Sequence, residues 1–517
     1  MWRWWILPAL LSVVLALHFQ DPFAGEWDSL DYSTFAITGW HPSSMFLGRM
    51  LFIFSNRVVY LIAHGTFGLP AQDAYLLFKY MVILETPLAL IAMWALAREL
   101  SGSPRTATLA ALLLALSPYF VFLSGQAMTE IPSILVLCTA LTVHLRGLRR
   151  HSAGQVVLGA LLLGLGVNIR EGLALFGAWL ALAPFVCGWN RKGSDLYLTL
   201  AACGLFLICA LGPFAVWFTL NLGGYRDWWW GWIEASRREA ALYPVSLETF
   251  GFFFRWFFKC SPLALVLTPF ALWNEGRQRG ASPLFLMGAL GLAANLFLIV
   301  HYSSIFHGRY FLTGLPAMAP LVADCVMRSI DRLKSFLEHD RALPTRPHLG
   351  FVAGATLIVA IGIGNIAVAW PSQHAHQLWS LRWKNYRQRL EEIPSQNVAV
   401  ITSGMTNAVG YWSAVTGANR SVIGCGTGWP GDDKLVAVVA DYLRQGKQVF
   451  IDADSKIWSK DSHETYALRQ LQNHFRFREI TDTIYEICPR DDLSAIDDPQ
   501  LETLTRHSWR KSFRKIP

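Results

Sequence analysis

Asp28, Asp31 and Tyr32 sit together in the run Glu26-Trp27-Asp28-Ser29-Leu30-Asp31-Tyr32, with His41-Pro42 shortly after. Asp28 is a proton acceptor in type, and on a helix starting here Tyr32 projects from the same face one turn later. Asp31 is also within a turn of Asp28, close enough for the two carboxylates to raise one pKa or to share a divalent cation. An aspartate that merely caps the helix is the plain alternative. In Thr129-Glu130-Ile131-Pro132 the acid falls at a helix N-terminus, which the helix dipole alone explains; as a second acid facing Asp28 it is a metal or acceptor-orienting candidate. His307-Gly308-Arg309-Tyr310 supplies a guanidinium fork suited to phosphate, with His307 and Tyr310 beside it to position a substrate. Arg170 and Lys79 add positive charge near their spans, against the simpler readings of an Arg170 salt bridge with Glu171 and of snorkelling. A base for an incoming hydroxyl and cations for a departing phosphate are the parts of transfer from a phosphate-linked donor.

The elements that must hold these groups belong in a bilayer. Of 517 residues 53% are hydrophobic and only 15% charged, too few charges to cover a soluble globule of this size. A spanning helix needs about 20 apolar residues, and about eleven segments approach that: Trp4–Phe19, Ala74–Leu96, Thr106–Leu123, Ile131–Leu145, Val156–Ile169, Gly172–Val186, Leu196–Leu220, Pro262–Trp273, Pro283–Val300, Tyr310–Met327 and Gly350–Trp370. Met1 to Phe19 carries only Arg3 before its apolar run and no small-residue cleavage site, and reads as a retained first helix. Ser44–His64 contains Arg49, Asn56 and Arg57 and reads as one or two interfacial helices, because counting it as a span inverts every later loop against the charge rule. The arginine-rich loops are then cytoplasmic, and Asp28, Asp31, Glu130 and the loop before Arg309 share the opposite face. The net charge of +8 is spread over short loops rather than gathered in one patch, which argues against nucleic acid.

After Trp370 charges rise, and Asn397–Ile401, Ser421–Ile423, Gln448–Ile451 and Ile484–Ile487 read as strands, with Lys434–Arg444 and Glu464–Phe475 as helices. This is a small α/β domain over 381–490, followed by a disordered tail over 491–517. An odd number of spans and a cytoplasmic start put the domain outside the cytoplasm. Gly424-Cys425-Gly426-Thr427-Gly428 lacks the later glycine of a dinucleotide loop and the Lys-Ser/Thr pair of a P-loop, so it reads as an irregular turn. No CxxC pattern exists among the 8 cysteines; Cys425 and Cys488 are the one pair that an extracytoplasmic domain could oxidise.

The Asp-x-x-x-Tyr of the first loop, His41-Pro42, the stretch from Ser117-Pro118 to Thr129-Glu130-Ile131-Pro132, and Arg309-Tyr310 followed by Leu315-Pro316 resemble the membrane glycosyltransferase C superfamily. The likeness is to its bacterial branch related to protein O-mannosyltransferases and aminoarabinose transferases, and covers roughly Trp4 to Trp370. It implies a polytopic α-helical fold over 1–380 and a sugar donor on a polyprenyl phosphate. The acceptor is a lipid, glycan or protein, and the site faces outward from the cytoplasmic membrane. By the same resemblance Asp28 takes the place of the base, Tyr32 the tyrosine after it, His41 the basic residue approaching phosphate, Glu130 the second-loop acid and Arg309 the late arginine. Ser29 stands where Glu is usual, with Asp31 nearby as a substitute, so a divalent cation stays open and no other cofactor is expected. Two other classes are a transporter, which places charges near the midplane and carries repeats not evident here, and an envelope-assembly scaffold acting through the C-terminal domain.

Overall fold

The structure is a computed structural model and describes residues 4–39, 48–189, 193–221, 246–301, 308–340, 349–402, 404–424, 435–453 and 470–490, with a few further positions between 224 and 233. It divides into two compact units, the first comprising Met1–Leu69 and Asp73–Leu378 and the second beginning at Trp379 and taking in Pro70–Gln72.

The first unit is helical. Its elements are α1 (Ile6–His18), α2 (Trp27–Thr38), α3 (Met50–Phe67), α4 (Ala74–Ser101), α5 (Pro104–Ala115), α6 (Pro118–Leu123), α7 (Glu130–Arg150), α8 (Ala153–Val167), α9 (Gly177–Val186), α10 (Gly193–Thr219), α11 (Leu247–Cys260), α12 (Pro262–Arg279), α13 (Pro283–His301), α14 (Leu315–Asp340) and, as far as Leu378, α15 (Leu349–Leu390). Local chemistry sets the breaks. Ser103 accepts from the Thr106 amide at 3.3 Å with Pro104 behind it, and opens α5. Ser117-Pro118 ends that run, splitting the apolar stretch Thr106–Leu123 into α5 and α6 because a proline disfavours helix in the residue before it. At Ser261-Pro262 the same device bends the chain by 100° between α11 and α12.

The apolar segments read from the sequence correspond to helices of unequal length. Among the described residues five are long and apolar enough to cross a bilayer, or six if the bent pair counts as one, and α1, α5, α8, α13 and the Glu171–Val186 segment are shorter apolar helices. Met50–Phe67, expected at the interface, is one continuous helix that meets the length and apolarity of a span. Helix α7 is the centre of the unit, since 72% of its apolar window is buried, against 22% for α10 and 17% for α15. Its N-terminal residue is Glu130.

The second unit holds β1 (Val398–Thr402), α16 (Thr406–Thr416), β2 (Arg420–Gly424), α17 (Leu435–Arg444), β3 (Gln448–Asp452), β4 (Phe475–Glu479) and β5 (Ile484–Pro489). Strand order is β2-β1-β3-β5-β4, with β1 parallel to β2 and β3, and β5 antiparallel to β3 and β4. All five residues of β1 are buried, as a central parallel strand of the type Val-Ala-Val-Ile-Thr requires. The α/β reading is met, with β4 added where the end of a helix was expected: Phe475 opens that strand. Cys425, residues 425–428 of the glycine run and the tail over 491–517 lie outside the described residues.

Candidate functional site

The connection from α1 to α2 is laid against the turn before α7 by backbone bonds. The Asp21 amide donates to the Gly125 carbonyl at 3.1 Å, the Ala127 amide to the Ala24 carbonyl at 2.8 Å, and the Glu26 amide to Gln126 Oε1 at 3.1 Å. Gly25 has φ +128, and a Cβ there would stand 2.6 Å from the Gln126 Cβ, so this contact needs glycine twice over. The clamp delivers Glu26 to the N-cap of α2 and Asp28 to its first turn. Asp28 does not cap the helix: it is 3% exposed and its Oδ2 accepts from Arg309 Nη2 at 2.5 Å.

Arg309 lies in a 3-10 turn, Gly308–Thr313, where the Tyr119 ring packs so close to Gly308 that a Cβ has no room. Its guanidinium is the hub. Besides Asp28 it pairs with Glu26, and its Nε is 3.7 Å from Glu130 Oε1. The same Glu130 oxygen accepts from Arg170 Nη1 at 2.6 Å, and Thr129 Oγ1 accepts from that nitrogen at 3.2 Å. Arg170 therefore pairs with Glu130 rather than with its neighbour Glu171, which instead holds Arg49. Arg49 Nε donates to the Tyr32 hydroxyl at 3.0 Å. Tyr310 lies under two charges at once, its ring centroid 5.0 Å from the Arg170 guanidinium carbon and 5.3 Å from that of Arg309.

Asp28, Glu130, Arg170, Arg309, Tyr32 and Tyr310, proposed from different loops, thus form one buried cluster. Lys79 is buried apart from the guanidiniums, donating to the Asp21 carbonyl at 2.9 Å. His41 and His307 lie outside the described residues. Three members went unassigned in the sequence: Glu26, Arg49 and Glu171. Arg49 had a signal, an arginine within an apolar stretch, which is a functional candidate by default.

The acids do not fit the divalent cation considered for Asp28, Asp31 and Glu130. Asp28 and Glu130 both face the Arg309 guanidinium, so a cation between them has to displace an arginine, and no group of three or more metal-ligating side chains occurs among the described residues. Asp31 is also unsuited to metal at neutral pH. Burial first and the Asp28 charge second push its carboxyl from an ordinary 3.8 up to about 8. Because the fold favours the protonated form, Asp31 contributes stability that declines as pH rises from the ordinary value and is gone above about 8, where the carboxylate emerges beside Asp28. Accordingly, activity of the wild type is expected to fall as pH passes about 8, and Asp31→Asn to keep its rate there. A pH–rate profile of both checks this, and identical alkaline limbs would show that Asp31 is not the group titrating.

Beneath the cluster, Leu51, Phe52, Met81, Val82, Pro132, Leu135, Val136 and Ile169 wall an apolar cavity of about 230 Å³, with Ser55, Asn56 and Glu85 as its polar members. Ile169 and Pro132 adjoin Arg170 and Glu130 in the chain.

A family model described as dolichyl-phosphate-mannose-protein mannosyltransferase matches residues 50–217. No curated protein sequence matches the chain. Among solved structures, ArnT from Cupriavidus metallidurans bound to undecaprenyl phosphate is similar at 15% identity with a TM-score of 0.57, covering 95% of this chain and 98% of that one. The apo oligosaccharyltransferase of Archaeoglobus fulgidus is similar at 12% identity and TM-score 0.57, covering 90% of this chain and 70% of that one. AglB of the same organism, with an inhibitory peptide and a dolichol-phosphate, is similar at 13% identity and TM-score 0.55, covering 96% and 75%. The chain shares the fold of these membrane proteins, and the match over residues 50–217 agrees with the glycosyltransferase C resemblance read from the loop motifs.

Proposed function

We propose that the protein is an inverting glycosyltransferase that moves a sugar from a polyprenyl-phosphate donor to an acceptor hydroxyl at the outer face of a bacterial cytoplasmic membrane. The contact between Asp28 and Arg309 carries this reading, because it joins a candidate base to a candidate phosphate ligand inside one buried cluster. A phosphate arriving at Arg309 competes with Asp28 for the same guanidinium, so donor binding frees the carboxylate. Asp28 then takes the proton of the acceptor hydroxyl as its oxygen bonds to the anomeric carbon. The bond from that carbon to the phosphate oxygen breaks, and the electron pair leaves with the lipid phosphate toward Arg309 and Arg170. The apolar cavity beside the cluster suits the first isoprene units of the lipid. Similar structures hold an undecaprenyl phosphate and a dolichol-phosphate, which supports a lipid-phosphate donor here. The α/β unit is placed outside the cytoplasm in this reading, where it contributes to acceptor recognition.

The test is transfer of radiolabelled sugar from a total polyprenyl-phosphate-sugar extract to a mixed lipid and glycan acceptor pool by purified protein, with nucleotide sugars as the competing donor. Label moving from the lipid donor alone is the expected result. Transfer from nucleotide sugars, or none from a donor pool verified with a second transferase, overturns the reading.

A further inference from the structure

The cavity beneath the cluster holds two polar groups that the fold leaves unmet. On α3 Leu51 and Ser55, and likewise Phe52 and Asn56, are four residues apart, as are Met81 and Glu85 on α4. Each helix therefore gives the cavity one stripe that begins apolar and ends polar. Ser55 spends its proton within α3, on the Phe52 carbonyl at 2.8 Å. Asn56 is 2% exposed, yet its Nδ2 has no hydrogen-bond partner among the described residues, and neither has Glu85 Oε2. Glu85 lies about three turns into α4, a helix apolar enough to span a bilayer. A buried amide and a carboxyl without partners cost free energy in such surroundings, and an acid inside a span is a functional candidate by default.

The two groups select among occupants. Water alone does not answer: about 230 Å³ is many times the roughly 10–15 Å³ that one water needs, and most of the wall offers it no partner. Isoprene units suit the walls but meet neither polar group. An anion finds no Lys or Arg in the lining and faces Glu85. An ammonium pairs with Glu85 but has no lone pair for the Asn56 amide. A hydroxyl satisfies both, its oxygen accepting from Asn56 Nδ2 while its proton goes to Glu85 Oε2. Leu51 lines the cavity and is 37% exposed, and Leu84, next to Glu85, is 71% exposed, so lipid-facing surface borders the cavity.

We propose that this cavity binds a neutral, hydroxyl-bearing lipid, its chain against the apolar walls and its hydroxyl between Asn56 and Glu85. The proposal goes beyond the transferase reading and does not rest on it; the donor's isoprene chain is a rival for the same space.

The probe is a long-chain primary alcohol carrying a diazirine, photolysed with the full-length protein in phosphatidylcholine nanodiscs, whose lipid has no free hydroxyl. Mass spectrometry is expected to find label on residues 51–56, 81–85 and 132–136. The unlabelled alcohol should displace it. The methyl ether of the same chain keeps the acceptor and loses the donor, and is expected to compete about tenfold less well, the loss of one hydrogen bond to a buried partner. Asn56→Leu and Glu85→Leu are each expected to weaken labelling by a similar factor, while label on the outward face of α10, which reports access from lipid, is unchanged. An ether that competes as well as the alcohol, or label indifferent to both substitutions, overturns the proposal. Label confined to α10 does so too. Undecaprenyl phosphate displacing the probe more strongly than the alcohol assigns the cavity to the donor's isoprene chain, which overturns the proposal and leaves the transferase reading intact. The comparison of alcohol with ether needs only the wild type, so it decides even where a variant fails to fold.

Discussion

Replacing Asp28 by Asn is expected to lower sugar transfer by about 10²- to 10⁴-fold, the range that a positioned general base contributes. Asparagine is the informative choice because it keeps an oxygen for Arg309 Nη2, now 2.5 Å from the carboxylate, and so removes proton acceptance while leaving the guanidinium a partner. The loss should therefore appear in turnover more than in donor KM. Initial rates at saturating donor, with thermal unfolding of the same preparations as a control, make the measurement. A variant within about threefold of wild type, well short of the loss expected for a base, would falsify the assignment. In that variant burial still raises the Asp31 carboxyl, while the smaller contribution from the Asp28 charge is gone.

A second large effect concerns stability. Arg170 and Glu130 are 2% and 1% exposed and meet at 2.6 Å, so Arg170→Met leaves a carboxylate in a site that water does not reach. Breaking a buried pair from one side costs about 3–5 kcal/mol, much of it the penalty of the stranded charge. The loss here is expected near the lower end, because Arg309 Nε lies 3.7 Å from the same oxygen and partly compensates. Removing the charge as well, in Arg170→Met with Glu130→Gln, is expected to recover most of it. Thermal or denaturant unfolding in one detergent reports both variants. A double variant no more stable than the single one would show that Arg170 acts through its packing on Tyr310 rather than through the pair.

That Asp28, Glu130 and Arg309 belong to one site was legible before the fold was known, because their loops were assigned to one side by charge alone. Pairing was not. Asp28 and Arg309 are 281 positions apart, and nothing local in either segment names the other. The adjacent Glu171 is the obvious partner for Arg170 in the sequence, yet consecutive side chains leave the backbone in different directions, and the backbone at Arg170 is extended, with φ −154 and ψ 120. Helix ends escaped the sequence for a related reason. Hydropathy reports which residues tolerate lipid, not where a helix begins or ends, so it joined α5 to α6 across Ser117-Pro118 and stopped at Trp370 while α15 runs on to Leu390. Arg49 was visible but was used as an argument about topology, when its partners Tyr32 and Glu171 belong to the site.

The ring of Tyr310, within reach of two guanidiniums, is an anchor as well as a contact. Like charges left alone drift apart or recruit water, but a quadrupole shared by both offers each an attraction to one fixed object. Glu130 Oε1 faces the same two groups, 2.6 Å from Arg170 and 3.7 Å from Arg309, so ring and carboxylate hold their separation together. Two cations drawn from turns far apart in the chain are thereby kept at one spacing by a neutral neighbour and a charged one, instead of by the reach of two flexible side chains.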